Sequence, residues 1–223
     1  VLQRTDDALL DLRTFAVPEF SLAVVVMALV MLVLFGSIIA TPLVLQQVLH
    51  QRPLEVGLLL LPGGLLMGLL GPVVGRLYDR VGPRWLVVPG GVTVAMAFAI
   101  FATISPTTPW WHLLVANLVM SAGLAFMFTP LFTAALGSLP HHLISYGSAV
   151  VGTVQQVAGA AGTALFVTIM STVAAQAGGT AEAALASGAR TAFLTVGCVW
   201  LLAIVGGFFL RRPAEDAGVS LAH

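Results

Sequence analysis

From Trp85 to Ala181 the chain runs for 97 consecutive residues without one Asp, Glu, Lys or Arg. No water-facing surface can be built from such a stretch, because charged side chains are what keep a folded surface hydrated and apart from its neighbours. The remainder is of the same kind. Hydrophobic residues make up 59% of the 223 and charged residues 8%, against about 45–50% and about 25% in an average soluble domain. Lipid is the solvent such a chain requires, and a nucleic-acid partner is excluded by the same composition.

A bilayer core about 30 Å thick is crossed by about 20 apolar residues in a helix. Cutting the sequence at charges, prolines and polar clusters gives six spans, at residues 20–45, 56–75, 85–104, 112–136, 148–170 and 191–210. The apolar runs are continuous rather than alternating, which predicts helices and not a barrel. The expected fold is therefore all-α, a polytopic membrane protein with one six-helix domain over 20–210. Residues 1–19 read as a cytoplasmic linker or amphipathic segment and 211–223 as a cytoplasmic tail. The opening residues lack the basic start, short apolar core and small-residue cleavage site of a signal peptide, and there is no initiator Met. They read as an internal starting point of something longer. The single Cys198 has no partner for a disulfide.

Six spans put both termini on one side, and arginine bias identifies that side. Arg4, Arg13, Arg76, Arg80, Arg84, Arg211 and Arg212 fall on it, and Arg52 and Arg190 on the other. Seven against two predicts cytoplasmic termini in a bacterial inner membrane. Trp110 and Trp111 beside Pro109 suit the opposite membrane interface.

Charge is nevertheless concentrated in one short run, "GRLYDRVGPR" at 75–84. Topology alone explains arginines there but not their order. Gly75 and Gly82 lie seven apart, with Asp79-Arg80 between them and Arg84 closing the run. Gly82-Pro83 permits a tight turn, and Asp79 stands where it can pair with Arg76, Arg80 or the positive end of a neighbouring helix.

Within the spans, small residues four apart mark helix faces made for close approach. Gly64 and Gly68, then Gly71 and Gly75, do so in the second span around Pro72, and Ala158 with Gly162 and Gly159 with Thr163 do so in the fifth. Polar residues gather in the first, fourth and fifth spans: Ser37, Thr41, Gln46 and Gln47; Asn117, Ser121 and Thr129; Thr153, Gln155 and Gln156. Uncharged polar groups in hydrocarbon either bond across helices or face a wet cavity. For Gln155 and Gln156 a cavity position is favoured, since neighbours on a helix diverge by about 100° and at most one can face a packed helix. Phe35, Phe126, Phe128 and Phe132 can form a pliant apolar wall or simply pack.

The run Gly75, Leu77, Asp79, Arg80, Gly82 and Arg84 reproduces the pattern G-x-L-x-D-R-x-G-x-R. It resembles the loop between the second and third helices of a six-helix half in the major facilitator superfamily. "EVGLLLLPGGLLMGLLGPVVGRLYDRVGPR", "DLRTFAVPEFSLA" and "GSAVVGTVQQVAGAAGTALF" are similar to its fourteen-helix drug:proton antiporter branch. The resemblance implies two inverted three-helix repeats, a substrate path lined by the first, second, fourth and fifth helices, and a loop whose Asp and Arg latch neighbouring helices on the cytoplasmic face. The candidate path residues are then Thr41, Gln46, Asn117, Ser121, Phe126, Gln155 and Gln156. The fourth span has no Arg and the fifth no Pro, departures that point to the carboxy-terminal half.

The expected function is membrane transport, export of small hydrophobic compounds by proton antiport. No acid lies inside any of the six spans, so the coupling acid is expected in an amino-terminal half. The expected partners are the bilayer, a small hydrophobic substrate, and that half or a second copy. No cofactor or metal is called for, and no enzyme signature is present. A homodimeric half-transporter, an inactive remnant and a non-transporting scaffold or receptor stay open as alternatives.

Overall fold

A peptide group left unpaired in hydrocarbon costs several kcal/mol, so each apolar run must close its own hydrogen bonds. In the computed structural model, which describes residues 12–210, they do so as α1 (Pro18–Gln47), α2 (Pro53–Val81), α3 (Arg84–Phe101), α4 (Trp110–Gly137), α5 (Ile144–Gln176) and α6 (Ala181–Phe209). Short 3-10 turns at Leu12–Ala16 and His141–Leu143 precede α1 and α5, and there is no strand among the described residues. All six helices are long and apolar enough to cross a membrane. The expected tail at 211–223, most of the expected linker, and Arg4, Arg211 and Arg212 lie outside the described residues.

Three helices run well past the apolar spans that predicted them, among them α5, which covers Ile144–Gln176 against an expected 148–170. α2 continues through Gly75, Arg76, Asp79 and Arg80 to Val81, so the expected loop is the helix end plus a turn at Gly82 and Pro83. The extra six residues add about 9 Å, enough to carry the charges out of hydrocarbon while the backbone stays bonded. Gly82 has φ 84°, a conformation that favours glycine at a helix end. α6 starts at Ala181, so that only residues 177–180 of the expected long connector lie outside helix. "AEAALASGAR" is alanine-rich and strongly helix-forming, and Thr180 caps it by accepting from the Ala183 N–H at 3.3 Å. At the start of α2 the Arg52 N–H donates to the Glu55 carboxylate at 2.8 Å.

Packing follows the inverted repeat. α1 packs on α5 and α6, as α4 packs on α2 and α3; α1 also meets α4, and α3 meets α6. Exchanging α1–α3 for α4–α6 maps these pairings onto themselves. The symmetry is imperfect, because α5 packs tightly on α6 while α2 barely touches α3. α2 is thereby left resting chiefly on α4, and it is the least covered of the six helices.

Close approach is made at specific glycines. A Cβ on Gly90 of α3 would lie 2.9 Å from the Gly123 carbonyl oxygen, and one on Gly123 of α4 would lie 2.8 Å from the Gly90 carbonyl oxygen. On α5, Gly162 sits against the backbone of Leu32, and a Cβ on Gly159 would lie 2.9 Å from the Phe35 ring. Gly188 of α6 sits against the Met170 backbone. An aromatic seam joins α3, α5 and α6: Phe101 and Phe193 stack at 4.3 Å between centroids, with Phe166 edge-on to Phe193 at 5.2 Å.

The glycines predicted to pack α2 make no close approach within this chain. A Cβ on Gly64, Gly68, Gly71 or Gly75 would meet nothing within 4 Å. The reason is azimuthal: α2 turns Val56, Leu59, Gly63 and Val74 inward, and Gly64 lies about 100° round the helix from Gly63. Pro72, between Gly71 and Gly75, is exposed on the same helix.

Candidate functional site

Short connectors make successive helices alternate in direction, so the bundle has two ends. One, the motif face, holds the start of α1, the α2–α3 turn and the end of α4. The opposite face holds the α1–α2, α3–α4 and α5–α6 connectors.

On the motif face Arg76, Asp79 and Arg80 are exposed on the last two turns of α2. Arg80 stands in the last turn, where the helix dipole favours a cation. Arg84 opens α3, where the dipole does not favour it, and its guanidinium carbon lies 5.4 Å from the centre of the Phe208 ring near the end of α6. That cation–π contact offsets the unfavourable dipole and stitches α3 to α6. Gly82 and Pro83 are buried beneath the turn. The arrangement is a short corner with one carboxylate and three guanidinium groups around it.

The seven residues expected along a substrate path do not converge. Thr41 is buried on α1, one turn from buried Ser37, and neither hydroxyl has a hydrogen-bond partner. It is a packed residue of this bundle rather than a lining one. Asn117 and Ser121 lie together, but against α2: a Cβ on Gly63 would stand on the Asn117 Oδ1 and lie 2.7 Å from the Ser121 Oγ. Phe126 is half-buried, and its Cβ would lie 2.9 Å from a Cβ on Gly90 of α3. Gln155 turns to α1, its Nε2 donating to the Met27 sulfur at 3.4 Å, while Gln156 is exposed. Gln46 is exposed at the end of α1. The adjacent glutamines thus divide, one packed and one free of the bundle.

An apolar strip lies on α1, where Phe35, one of the phenylalanines expected to form an apolar wall or simply pack, is exposed with Ile38 and Ile39. Phe132 of α4 is exposed too. Phe35 and Phe132 were marked in the sequence by residue type, but Ile38 and Ile39 were not, because every face of α1 is equally apolar.

The opposite face is held by polar contacts to backbone. Arg190 on α6 donates from Nε to the Ala102 carbonyl oxygen at 2.8 Å, and the His112 Nε2 lies 2.9 Å from the Thr103 Oγ1 and 3.2 Å from the Ile100 carbonyl oxygen. Both bind the carbonyl-rich end of α3, where cations and N–H donors are favoured. His50 and Glu182 meet there at 3.3 Å. Among the described residues no group of His, Cys, Asp and Glu could hold a metal.

Acids occur only in terminal turns of the described helices: Glu19 in α1, Glu55 and Asp79 in α2, Glu182 in α6. The middle of the bundle holds hydroxyls and amides but no group that titrates as a carboxylate.

The family profile described as Major Facilitator Superfamily matches residues 5–163. The lincomycin resistance protein LmrB of Bacillus subtilis is 35% identical over 217 residues, which is 93% of this chain and 45% of that protein. The multidrug resistance protein B homolog of Mycobacterium tuberculosis is 35% identical over 75% of this chain and 32% of its own length. The multidrug export protein EmrB of Haemophilus influenzae is 31% identical over 72% of this chain and 32% of its own length. The chain spans about half the length or less of these relatives. Six membrane-crossing helices paired as an inverted repeat, the motif at the end of α2 and these matches together place the chain in the Major Facilitator Superfamily, as a multi-pass membrane protein.

Proposed function

We propose that this six-helix unit is the carboxy-terminal half of a secondary transporter that exports drugs or other small hydrophobic compounds by proton antiport. The observation that carries the reading is the likeness to resistance proteins over 93% of this chain and 45% of the relative. The acid that couples export to proton entry lies in the amino-terminal half, a reading supported by the confinement of carboxylates here to helix ends. Its termini face the cytoplasm of a bacterial inner membrane. In this role the motif face is a latch: Asp79 and the arginines at the α2–α3 corner make and break charge-assisted bonds as that side closes and opens. Exposed pairs of about 1 kcal/mol or less suit a contact that must be reversible.

The test is drug accumulation in cells lacking their own efflux pumps. The chain alone should leave accumulation unchanged, and co-expression with the amino-terminal half of a resistance relative should lower it. Asp79→Asn should then restore accumulation at equal protein in the membrane. Equal loss of protein would assign the motif to folding instead. A second reading, a homodimeric half-transporter, is favoured by the open glycine face of α2, where a Cβ at Gly64, Gly68 or Gly71 meets nothing; it requires efflux by the chain alone.

A further inference from the structure

His50 is the single described non-glycine residue with positive φ, at 52°. It follows α1 at a position where a helix end usually takes glycine or asparagine, because a larger side chain is strained there. Its neighbours are firmly bonded: the Leu49 N–H reaches the Val44 carbonyl at 3.2 Å and the Gln51 N–H reaches the Leu45 carbonyl at 2.9 Å. Strain of this kind persists only where the surroundings enforce it, and it invites a search for what the side chain does. The His50 Nε2 lies 3.3 Å from the Glu182 Oε1, 132 residues away, in the first turn of α6. The strained corner between α1 and α2 therefore delivers an imidazole to the carboxylate just beyond the α5–α6 corner.

We propose that His50 and Glu182 form a proton-controlled clasp across the opposite face. Neutral, the pair is an ordinary exposed hydrogen bond; with His50 protonated it becomes a charge-assisted ion pair. Histidine is the side chain suited to such a switch, because its charge changes within the physiological pH range. Acidification on this face thus tightens the tie between the two corners. The tie bears on α2, which follows this corner and rests chiefly on α4.

Three other charged groups stand on the surrounding elements. In the same connector the Glu55 carboxylate accepts from the Arg52 backbone N–H while the Arg52 side chain is exposed, and on α6 Arg190 is bonded to Ala102. His112 of α4 is held by Thr103 and Ile100. The adjoining ends of α1 and α5 carry Gln46, Gln47 and Gln176, which do not titrate.

Hydrogen exchange at residues 48–52 and 180–184, in the intact chain in lipid nanodiscs, tests the clasp. Comparing wild type with His50→Gln, His50→Gly and Glu182→Gln at one pH at a time removes the intrinsic pH dependence of exchange. Wild type should be protected over each variant by up to about five-fold at pH 5.5, the ceiling for an exposed pair, and by a factor approaching one at pH 8. His50→Gly relieves the strained φ, so a loss of acid protection in it cannot be blamed on poor folding. Equal protection ratios at both pH values, or acid protection kept in Glu182→Gln, would overturn the clasp. The readout needs no transported compound, so it stands apart from the proposed function.

Discussion

The indole Nε1 of Trp200 on α6 donates to the carbonyl oxygen of Gly91 on α3 at 2.9 Å, with both residues buried. The bond joins the third helices of the two repeats at their shared wall, beside Phe98, whose ring stands edge-on to the indole at 6.4 Å. A buried N–H has no alternative partner in hydrocarbon. Trp200→Phe removes the donor with most of the volume kept and should cost about 1 kcal/mol, whereas Trp200→Ala should cost about 3–5 kcal/mol. Thermal unfolding in detergent, with the two variants side by side, measures the difference.

The contact of Gly63 with Asn117 and Ser121 separates two glycines that stand next to each other. Gly63→Ala inserts a methyl where there is no room and should destabilise by about 1–3 kcal/mol. Gly64→Ala meets nothing within 4 Å and should be neutral or stabilising by about 0.5–1 kcal/mol through helix propensity. The sign of the change in melting temperature decides it; the same sign for both would refute the assigned face of α2.

On α5 the prediction concerns a backbone that cannot yield. Gly162 lies against the Leu32 peptide of α1, so Gly162→Val should separate the two helices and lower the yield of folded protein. Gly152→Val, with nothing within 4 Å, should not. Monodispersity on size exclusion after extraction distinguishes them.

Arg190→Gln should loosen the end of α3, since its Nε bond to Ala102 is the tie from α6. The residue is exposed, which limits the effect to about 1 kcal/mol. Faster hydrogen exchange at residues 101–104, with the α3–α6 wall unchanged, is the expected result.

Much of this protein was legible in one dimension. The number of helices, their all-α character and the lipid they need follow from the length of apolar runs and from the rule that backbone groups in hydrocarbon must bond within their own segment. The Gly82 turn and the motif around Asp79 were readable for the same reason, being local in sequence. Helix ends were less so: α2 and α6 extend through charged residues that a hydropathy cut removes, although "AEAALASGAR" announces a helix by propensity.

What only the tertiary structure decided is the azimuth of each helix. One residue turns a helix by about 100°, and in helices apolar on every side no periodicity says which side meets a neighbour. Hence Gly63 rather than Gly64 touches α4, Gln155 rather than Gln156 reaches α1, and Thr41 is packed where a lining residue was expected. The meeting of His50 with Glu182 across 132 residues is of the same kind. It exists because two corners arrive at one end of the bundle, and only the packing of all six helices brings them there.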